Sequence, residues 1–281
     1  MSAFFAAHEA AVRLIAFAGV LTLMLGWERL APRRADTAAR WRRWSANLAL
    51  VLIDTLLLRF GFPLLAAGAA LLAADRGWGV LNIVDAPGWL AFAVSVVLLD
   101  LAIWAQHVAM HKVPALWRLH RVHHSDLAFD TTTAVRFHPF EIALSMLFKI
   151  AVVIAIGAPV GAVIVSEVLL SSGALFNHGN VRLPAAIDAI VRTVVVTPDM
   201  HRVHHSIRRQ ETDSNYGFFF SFWDRLFCTY RPQPVSGHAG MTIGLPEFRD
   251  PAAQGLGRLL LQPFSRERRA TPGTPRSAAG S

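Results

Sequence analysis

Long apolar segments separated by short polar ones dominate the first two thirds of the chain. Residues 14–27, 48–74, 88–106 and 140–177 carry few charges. Each is near or above the roughly 20 residues that an α-helix needs to cross a bilayer. A soluble domain needs no such series of segments. The pattern therefore predicts an all-α fold, an integral membrane helical bundle.

Glycine and proline divide two of these segments. Gly61 and Pro63 should bend or divide the second one, and the sequence GAPVG at 157–161 divides the last one into the two halves of a helical hairpin. The result is a prediction of five crossings, at about 4–27, 46–74, 88–111 and the two halves of 140–177.

The distribution of charge predicts how the helices are oriented in the membrane. The polar stretch 28–44 holds six arginines against Glu28 and Asp36, and connections rich in arginine stay on the cytoplasmic side. We therefore expect the first span to run from outside to inside. The net charge of +8 comes almost wholly from arginines near such connections. It lacks the basic groove with interleaved aromatic residues that nucleic-acid binding requires, so no nucleic-acid partner is expected.

Ten of the twelve histidines occur in motifs or beside the inner ends of apolar segments. The block HRVHHS occurs twice, at 120–125 and 201–206, and HVAMH lies at 107–111. In a helix, HxxHH places its rings at about 0, 300 and 400 degrees, so each set projects from one side. The chain's one cysteine, Cys228, excludes a cysteine-based zinc or iron–sulfur site. Histidine must therefore supply the ligands of any metal.

Two HxxHH copies and one HxxxH suit two ions with about five or six ligands each, one triplet per ion. His178, which ends the second hairpin helix at the same depth, is predicted as a further ligand or, alternatively, as a helix cap. His138, before Pro139, is either another ligand or an N-terminal cap. The eight ligands from the motifs are His107, His111, His120, His123, His124, His201, His204 and His205.

Polar residues near the histidines are candidates for holding the imidazole rings in place. Asp100 lies seven residues before His107 on the same helix face, inside an apolar run where an unpaired carboxylate is costly. A hydrogen bond to a ligand imidazole explains it, and a salt bridge to an arginine on a neighbouring helix is the alternative. Asp199 and Asn177 are predicted to support the rings in the same way, with Asp126, Asp130 and Glu141 as weaker candidates.

The setting of the site narrows the choice of metal. Imidazole ligands suit iron, copper and zinc almost equally. A site at the membrane surface, walled by apolar helices, suits an insoluble substrate whose C–H bonds a hydrolytic zinc centre cannot attack. Iron that activates O2 meets this demand.

In these histidine motifs, the chain resembles the fatty acid hydroxylase/sterol desaturase superfamily of integral-membrane di-iron oxygenases. The resemblance covers about residues 90–250, while residues 1–88 match only as apolar spans. It rests on HVAMH at 107–111, LHRVHHS at 119–125, RFHPFE at 136–141, NHGN at 177–180, TPDMHRVHHS at 197–206 and NYGFFFSFWDRLFCTY at 215–230.

The resemblance implies two iron ions (Fe2+/Fe3+) held by the eight histidines of the motifs, with O2 as co-substrate. It also implies an external electron donor, either a ferredoxin or a cytochrome with its reductase. The substrate would be a lipid in the membrane, a fatty acyl, sterol-like or other isoprenoid chain, which is hydroxylated or desaturated. Because bacterial members are the most similar, we expect a multi-pass protein of the bacterial inner membrane.

These predictions divide the chain into three parts. Residues 1–87 are N-terminal transmembrane helices, residues 88–250 form the catalytic domain, and residues 251–281 are a C-terminal tail that is partly disordered. The histidines form a cap on the cytosolic side of the bundle. The aromatic stretch 215–230 either closes the site at the interface or packs as plain core.

Two other functions remain as alternatives. A membrane metal-ion transporter could hold a histidine-rich cytosolic site, although transport sites usually lie near the bilayer midplane and use carboxylates. A haem protein with two axial histidines would leave the other histidines unexplained.

Overall fold

The structure, a computed structural model, describes residues 8–35 and 40–265. Within these residues the chain is helical, and its extended pairs are three isolated β-bridges. The all-α prediction is therefore confirmed. The start of the predicted span 4–27, part of the arginine-rich stretch 28–44 and the predicted disorder of the last dozen residues lie outside the described residues.

Five stretches are long and apolar enough to cross a membrane, as the sequence predicts. The second of them, Arg40–Ile83, contains the helices α2 and α3 and a short helix at Val80–Ile83, and the hairpin contains α6 and α7. The helices of these stretches are α1 (Glu9–Leu30), α2 (Arg40–Gly61), α3 (Ala66–Arg76), α4 (Gly88–Lys112), α6 (Pro139–Ile156) and α7 (Val160–Asn177).

Glycine sets the geometry at the end of the bundle opposite the histidines. Gly157, between α6 and α7, has a φ of +73°, and Gly79, after α3, has a φ of +94°. A Cβ on Gly79 would lie 2.1 Å from the backbone nitrogen of Gly157. Because side chains at these backbone angles are strained and there is no room for one, both glycines permit α3 to end against the hairpin turn.

The spanning helices pack around small residues and leave their large apolar side chains on the outside. The core includes Ala66, Ala69 and Ala70 of α3 against Leu99 and Val153. The outward faces of the spans carry exposed leucine, phenylalanine and tryptophan side chains. A large apolar surface of this kind needs lipid around it, so the protein is a membrane protein.

A cap covers the opposite end of the bundle, where α4 and α7 end and α6 begins. It contains α5 (Pro114–His124), α8 (Pro198–His204) and a set of short helices and loops. A buried ionic network joins it to α2. Arg43 pairs with Asp126, and its Nη2 donates to Asp130 Oδ2 at 2.8 Å. Although burial raises the pKa of Asp126, the adjacent guanidinium groups of Arg43 and Arg136 hold that pKa well below its usual range.

The described part of the C-terminal segment also packs against the cap. Leu259, on the short helix α9 (Leu256–Leu261), is fully buried against Ala46, Leu50 and Val122. Arg121 of α5 donates hydrogen bonds to the carbonyl oxygens of Gln262 and Ser265. Residues 251–265 thus support the helix that carries the first HRVHHS block. The division of the chain at 87 and 250 stays a prediction.

Candidate metal centre

Two short helices of the cap present the repeated histidine block. Proline occupies the first turn of both, Pro114 in α5 and Pro198 in α8, where its missing N–H costs no hydrogen bond. The side chain of Thr197 caps α8 by accepting from the backbone N–H of Met200. Each helix therefore starts at a defined residue, which fixes the direction of the histidines in its last turns.

Nine of the ten predicted histidine ligands converge into two buried groups. Within each group, the ring nitrogens lie within 4.8 Å of one another. All nine side chains are 3% exposed or less. The five-histidine group contains His107, His111, His120, His124 and His204, and the four-histidine group contains His123, His178, His201 and His205.

The prediction of one triplet per ion is wrong, because each HRVHHS block is divided between the two groups. In the first block, His120 and His124 join the five-histidine group and His123 joins the other. In the second block, His201 and His205 join the four-histidine group and His204 joins the five-histidine group. On a helix, the rings at i and i+4 are about 40 degrees apart, whereas the ring at i+3 lies on the other side of the ring at i. Each helix thus lies between the two groups.

Hydrogen bonds from Nδ1 orient four of the rings. His107 donates to the carbonyl oxygen of Tyr216 at 2.7 Å, and His204 donates to that of Ser214 at 2.7 Å. His178 donates to the carbonyl oxygen of Ala174 at 2.8 Å. His120 Nδ1 lies 2.6 Å from Glu141 Oε1. Because these partners accept, Nδ1 carries the proton, and Nε2 is left with its lone pair.

These lone pairs point at one another. The Nε2 atom of His107 lies 3.1 Å from that of His120 and 3.1 Å from that of His204. Two lone pairs at this distance repel, and neither nitrogen has a proton to share. Nitrogens about 2.1 Å from one ion, the usual distance for a histidine ligand, lie about 3 Å apart when they are neighbours in its coordination shell. The donor set therefore fits a metal cation.

The four-histidine group has a similar arrangement. His178 Nε2 lies 3.1 Å from His123 Nε2 and 3.2 Å from His201 Nε2. Both ring nitrogens of His205 are buried without a hydrogen-bond partner among the described residues, as is Nε2 of His124 in the neighbouring group. Buried polar nitrogens without a partner are costly, and a bound metal would satisfy one nitrogen of each ring.

Burial also keeps the rings of the cap in the form that binds metal. It lowers the pKa of His120 and of His178 to about 3. Burial together with the neighbouring imidazoles lowers the pKa of His124, His204 and His205 well below its usual value. These imidazoles are therefore neutral at pH 7, as a ligand must be.

The carbonyls that hold His107 and His204 belong to the segment 214–217, whose role the sequence did not reveal. Asn215 has a φ of +52°, and its side-chain amide donates to the carbonyl oxygen of Met200 at 2.9 Å. The carboxylate of Asp224 accepts from the backbone N–H of Tyr216 and of the following glycine. The sequence NYG indicates a turn here, because asparagine tolerates positive φ better than most residues. It does not indicate which histidines the turn holds.

The three predicted supporting residues hold neighbours of the histidines. Asp100 accepts from the indole of Trp223 at 2.8 Å and from the backbone N–H of Phe220, and Asn177 donates to the carbonyl oxygen of Phe218 at 2.7 Å. Both residues thus fix the segment that follows Tyr216. Asp199 is bound by Arg33 and Arg202. Of the weaker candidates, Glu141 contacts a ring directly.

His138 lies outside both groups. Its Nδ1 accepts from the backbone N–H of Phe140, which caps α6, and its Nε2 donates to the carbonyl oxygen of Leu260 at 3.2 Å. Both ring nitrogens therefore have protein partners. Its assignment as a ligand stays a prediction, and the structure offers the cap as the other role.

Replacing His138 with alanine is expected to leave the metal content unchanged and to lower the midpoint of thermal unfolding by a few degrees. The expected cost is that of a lost helix cap, about 1 kcal/mol. Metal analysis and thermal unfolding in detergent measure the two effects on the same sample. Loss of metal from His138→Ala would instead identify a tenth ligand.

A cavity of about 270 Å³ opens from the bundle onto the five-histidine group. His107 and His120 form its inner end. Its walls come from α1, α2, α4, α6 and α7 and are mostly apolar, with Phe137, Met146 and Leu170 among the lining residues. The cavity thus places a mostly apolar surface beside the rings of His107 and His120.

A more polar groove of about 470 Å³ lies on the other side of the cap. Phe129, 4% exposed, forms part of its wall, stacks against His178 and contacts His205 with its ring tilted. Arg29, Arg34 and Arg249 also line the groove. The two groups therefore have different surroundings. The five-histidine group meets the cavity through His107 and His120, whereas Phe129 separates the four-histidine group from the groove.

Residues 92–229 match the fatty acid hydroxylase family model. Ornithine lipid hydroxylase OlsE of Rhizobium tropici is 31% identical over 189 residues, which cover 64% of this chain and 53% of that protein. Human alkylglycerol monooxygenase is 26% identical over 147 residues, which cover 50% of this chain and 31% of that protein. The alkylglycerol monooxygenase of Danio rerio is 29% identical over 161 residues, covering 57% and 34%.

The chain thus spans about half the length of the first of these relatives and about a third of the other two. No solved structure matches the chain.

Proposed function

Because residues 92–229 of this chain belong to the fatty acid hydroxylase family, we propose that the protein is a membrane-bound di-iron oxygenase. It uses O2 and electrons from a separate carrier to hydroxylate or desaturate a lipid. The observation that carries the proposal is the pair of buried histidine groups, in which Nε2 lone pairs face one another at 3.1 Å.

The nine histidines of the two groups would hold the two iron ions. Iron is favoured over zinc because the oxidation of a C–H bond requires a redox-active metal, although imidazole also binds zinc. The irons would supply the redox chemistry by which O2 is reduced. Carbonyl groups and the Glu141 carboxylate would keep the rings oriented, which is the usual role of the residues behind metal ligands.

The lipid substrate is proposed from the cavity and from the relatives. By their names, one relative hydroxylates an ornithine lipid and another oxidises an alkylglycerol. The cavity has mostly apolar walls and includes His107 and His120 in its lining, so it would admit an apolar chain to these rings. The walls would exclude bulk water and direct one carbon of the chain at the five-histidine group.

The location and the electron donor are part of the same proposal. Arg43 of the arginine-rich stretch 28–44 pairs with Asp126 of the cap, so by the positive-inside rule the cap would face the cytoplasm. A bacterial inner membrane fits the Rhizobium relative. The donor would be a ferredoxin or a cytochrome with its reductase, and residues 88–250 would form the catalytic domain.

Metal analysis and an oxidation assay test the proposed function. The full chain, purified in detergent, is expected to contain about two irons per chain and to oxidise a membrane lipid extract when O2 and a ferredoxin with its reductase are supplied. Chelation of the iron should abolish the oxidation and its restoration should recover it. Metal-dependent flux in proteoliposomes without lipid oxidation would contradict the proposal and support a transporter.

A further inference from the structure

Three charged side chains lie in the wall of the cavity, with Glu167 buried and Arg13 partly exposed. Lys149 Nζ of α6 is 3.0 Å from Glu167 Oε1 of α7, and Arg13 Nη1 of α1 is 3.1 Å from Glu167 Oε2. All three line the cavity that ends at His107 and His120. Charged residues within a membrane bundle are costly and generally have a function.

The charges of this cluster do not balance. Two cations surround one carboxylate, so the cluster has one excess positive charge. Several other carboxylates lie near the cavity. Asp54 of α2 is buried close to Glu141, and Glu9 lies one turn before Arg13 on α1. Glu141 and Asp100 already have partners. Glu141 contacts His120 and lies eight residues from Lys149, about 12 Å along α6, and Asp100 accepts hydrogen bonds from Trp223 and Phe220.

Neutral hydrogen-bonding groups surround the charged cluster. Ser145 lies four residues before Lys149, and Ser171 lies four residues after Glu167, so each serine shares a helix face with a charged residue. Both serines line the same cavity. Among the described residues, the bond to Glu167 is the one that the Lys149 ammonium makes, although an ammonium has three donors.

The cluster lies at a defined distance from the histidines. Seven residues of α7 separate Glu167 from Ala174, a rise of about 10 Å, and both residues line the cavity. A ligand bound at the cluster by one end can therefore extend its apolar part along the cavity to His107 and His120.

We propose that the Arg13–Glu167–Lys149 cluster binds the carboxylate of a free long-chain carboxylic acid and that this contact selects which carbon of the chain reaches the five-histidine group. A single negative charge compensates the excess positive charge. The free donors of Lys149 bind the carboxylate oxygens together with the hydroxyl group of Ser145, which accepts from Gln106 and keeps its own proton to donate. The inference rests on the proposed function, because it takes the cavity as the substrate site.

Ligand binding by the full chain in detergent tests the inference without any oxidation. The probes are isotopically labelled palmitic acid, at a pH at which it is ionised, and its methyl ester, which has the same chain without the charge. The protein is expected to bind the acid more tightly than the ester, on the order of tenfold, as for a hydrogen bond to a charged group. Equal binding of the two probes would overturn the inference.

Two substitutions change the charge of the cluster in opposite directions. Lys149→Met leaves the Arg13–Glu167 pair and should abolish the preference for the acid, and Lys149→Arg should restore it. Glu167→Gln should increase the preference, which no loss of folding can imitate. Lys112→Met is the matched control, because the chain's other lysine also pairs with an aspartate at 3.0 Å but lies outside the cavity. A cluster with only a structural role would leave the ratio unchanged in every variant.

The binding and oxidation assays separate the two proposals. Oxidation of a lipid without any preference for the acid overturns this inference and leaves the proposed function intact. A preference that depends on Lys149, without oxidation of any lipid, supports the carboxylate site and removes the proposed function.

Discussion

Replacing His123 and His204 together with alanine is expected to remove the iron of both groups and to abolish lipid oxidation. His123 belongs to the four-histidine group and His204 to the five-histidine group, so each substitution deletes one buried ligand. Loss of a residue that only orients a ligand typically costs 10- to 100-fold. The double substitution should therefore lower the activity by more than about a hundredfold, with iron content measured on the same preparation.

The single variants and a buried histidine elsewhere make this test specific. His123→Ala and His204→Ala should each deplete the group to which that histidine belongs. His238→Ala is the control, because His238 is also buried in the cap, beside Asp199, but lies outside both groups. It should keep its iron and its activity. Full activity of the double variant would contradict the proposed function.

Replacing Asp126 with alanine is expected to give the largest loss of stability. Asp126 is 1% exposed, pairs with Arg43, and accepts a hydrogen bond from Thr133 at 2.9 Å. Its removal leaves the buried guanidinium groups of Arg43 and Arg136 short of negative charge. Breaking a buried pair in this way costs about 3–5 kcal/mol, which should lower the midpoint of thermal unfolding in detergent by roughly 10 °C.

An exposed ion pair provides the comparison for Asp126. Asp75 lies 3.7 Å from Arg76, and its side chain is 80% exposed. Because such surface pairs contribute little, Asp75→Ala should leave the unfolding midpoint nearly unchanged. If Asp126→Ala shifts the midpoint no more than this control does, the ionic network is not what joins α2 to the cap.

The sequence predicts the spanning helices well because their signal is local. A run of apolar residues is long enough to cross a bilayer or it is not, and the breaks at Pro63 and at 157–161 lie where the structure ends its helices. The spacing of the HRVHHS blocks likewise identifies histidines that the structure brings together. Each of these features depends on residues within a few positions of one another.

The features that the sequence did not predict depend on contacts between distant residues. The division of each block between two groups follows from how α5 and α8 face each other, and spacing within one block cannot show it. Glu141 ranked among the weaker candidates, yet it contacts His120, 21 residues away. Asp100 was expected at an imidazole and instead holds Trp223, 123 residues away.

The main-chain contacts of His107 and His204 bear on how this site tolerates mutation. Both rings are held by carbonyl oxygens, those of Tyr216 and Ser214, and a change of side chain deletes neither oxygen. What must be kept is the backbone path through Asn215, with its φ of +52°. The backbone path of this segment therefore helps to specify the site. A comparison of residue identities alone would find the ligands and overlook the carbonyl groups that hold them.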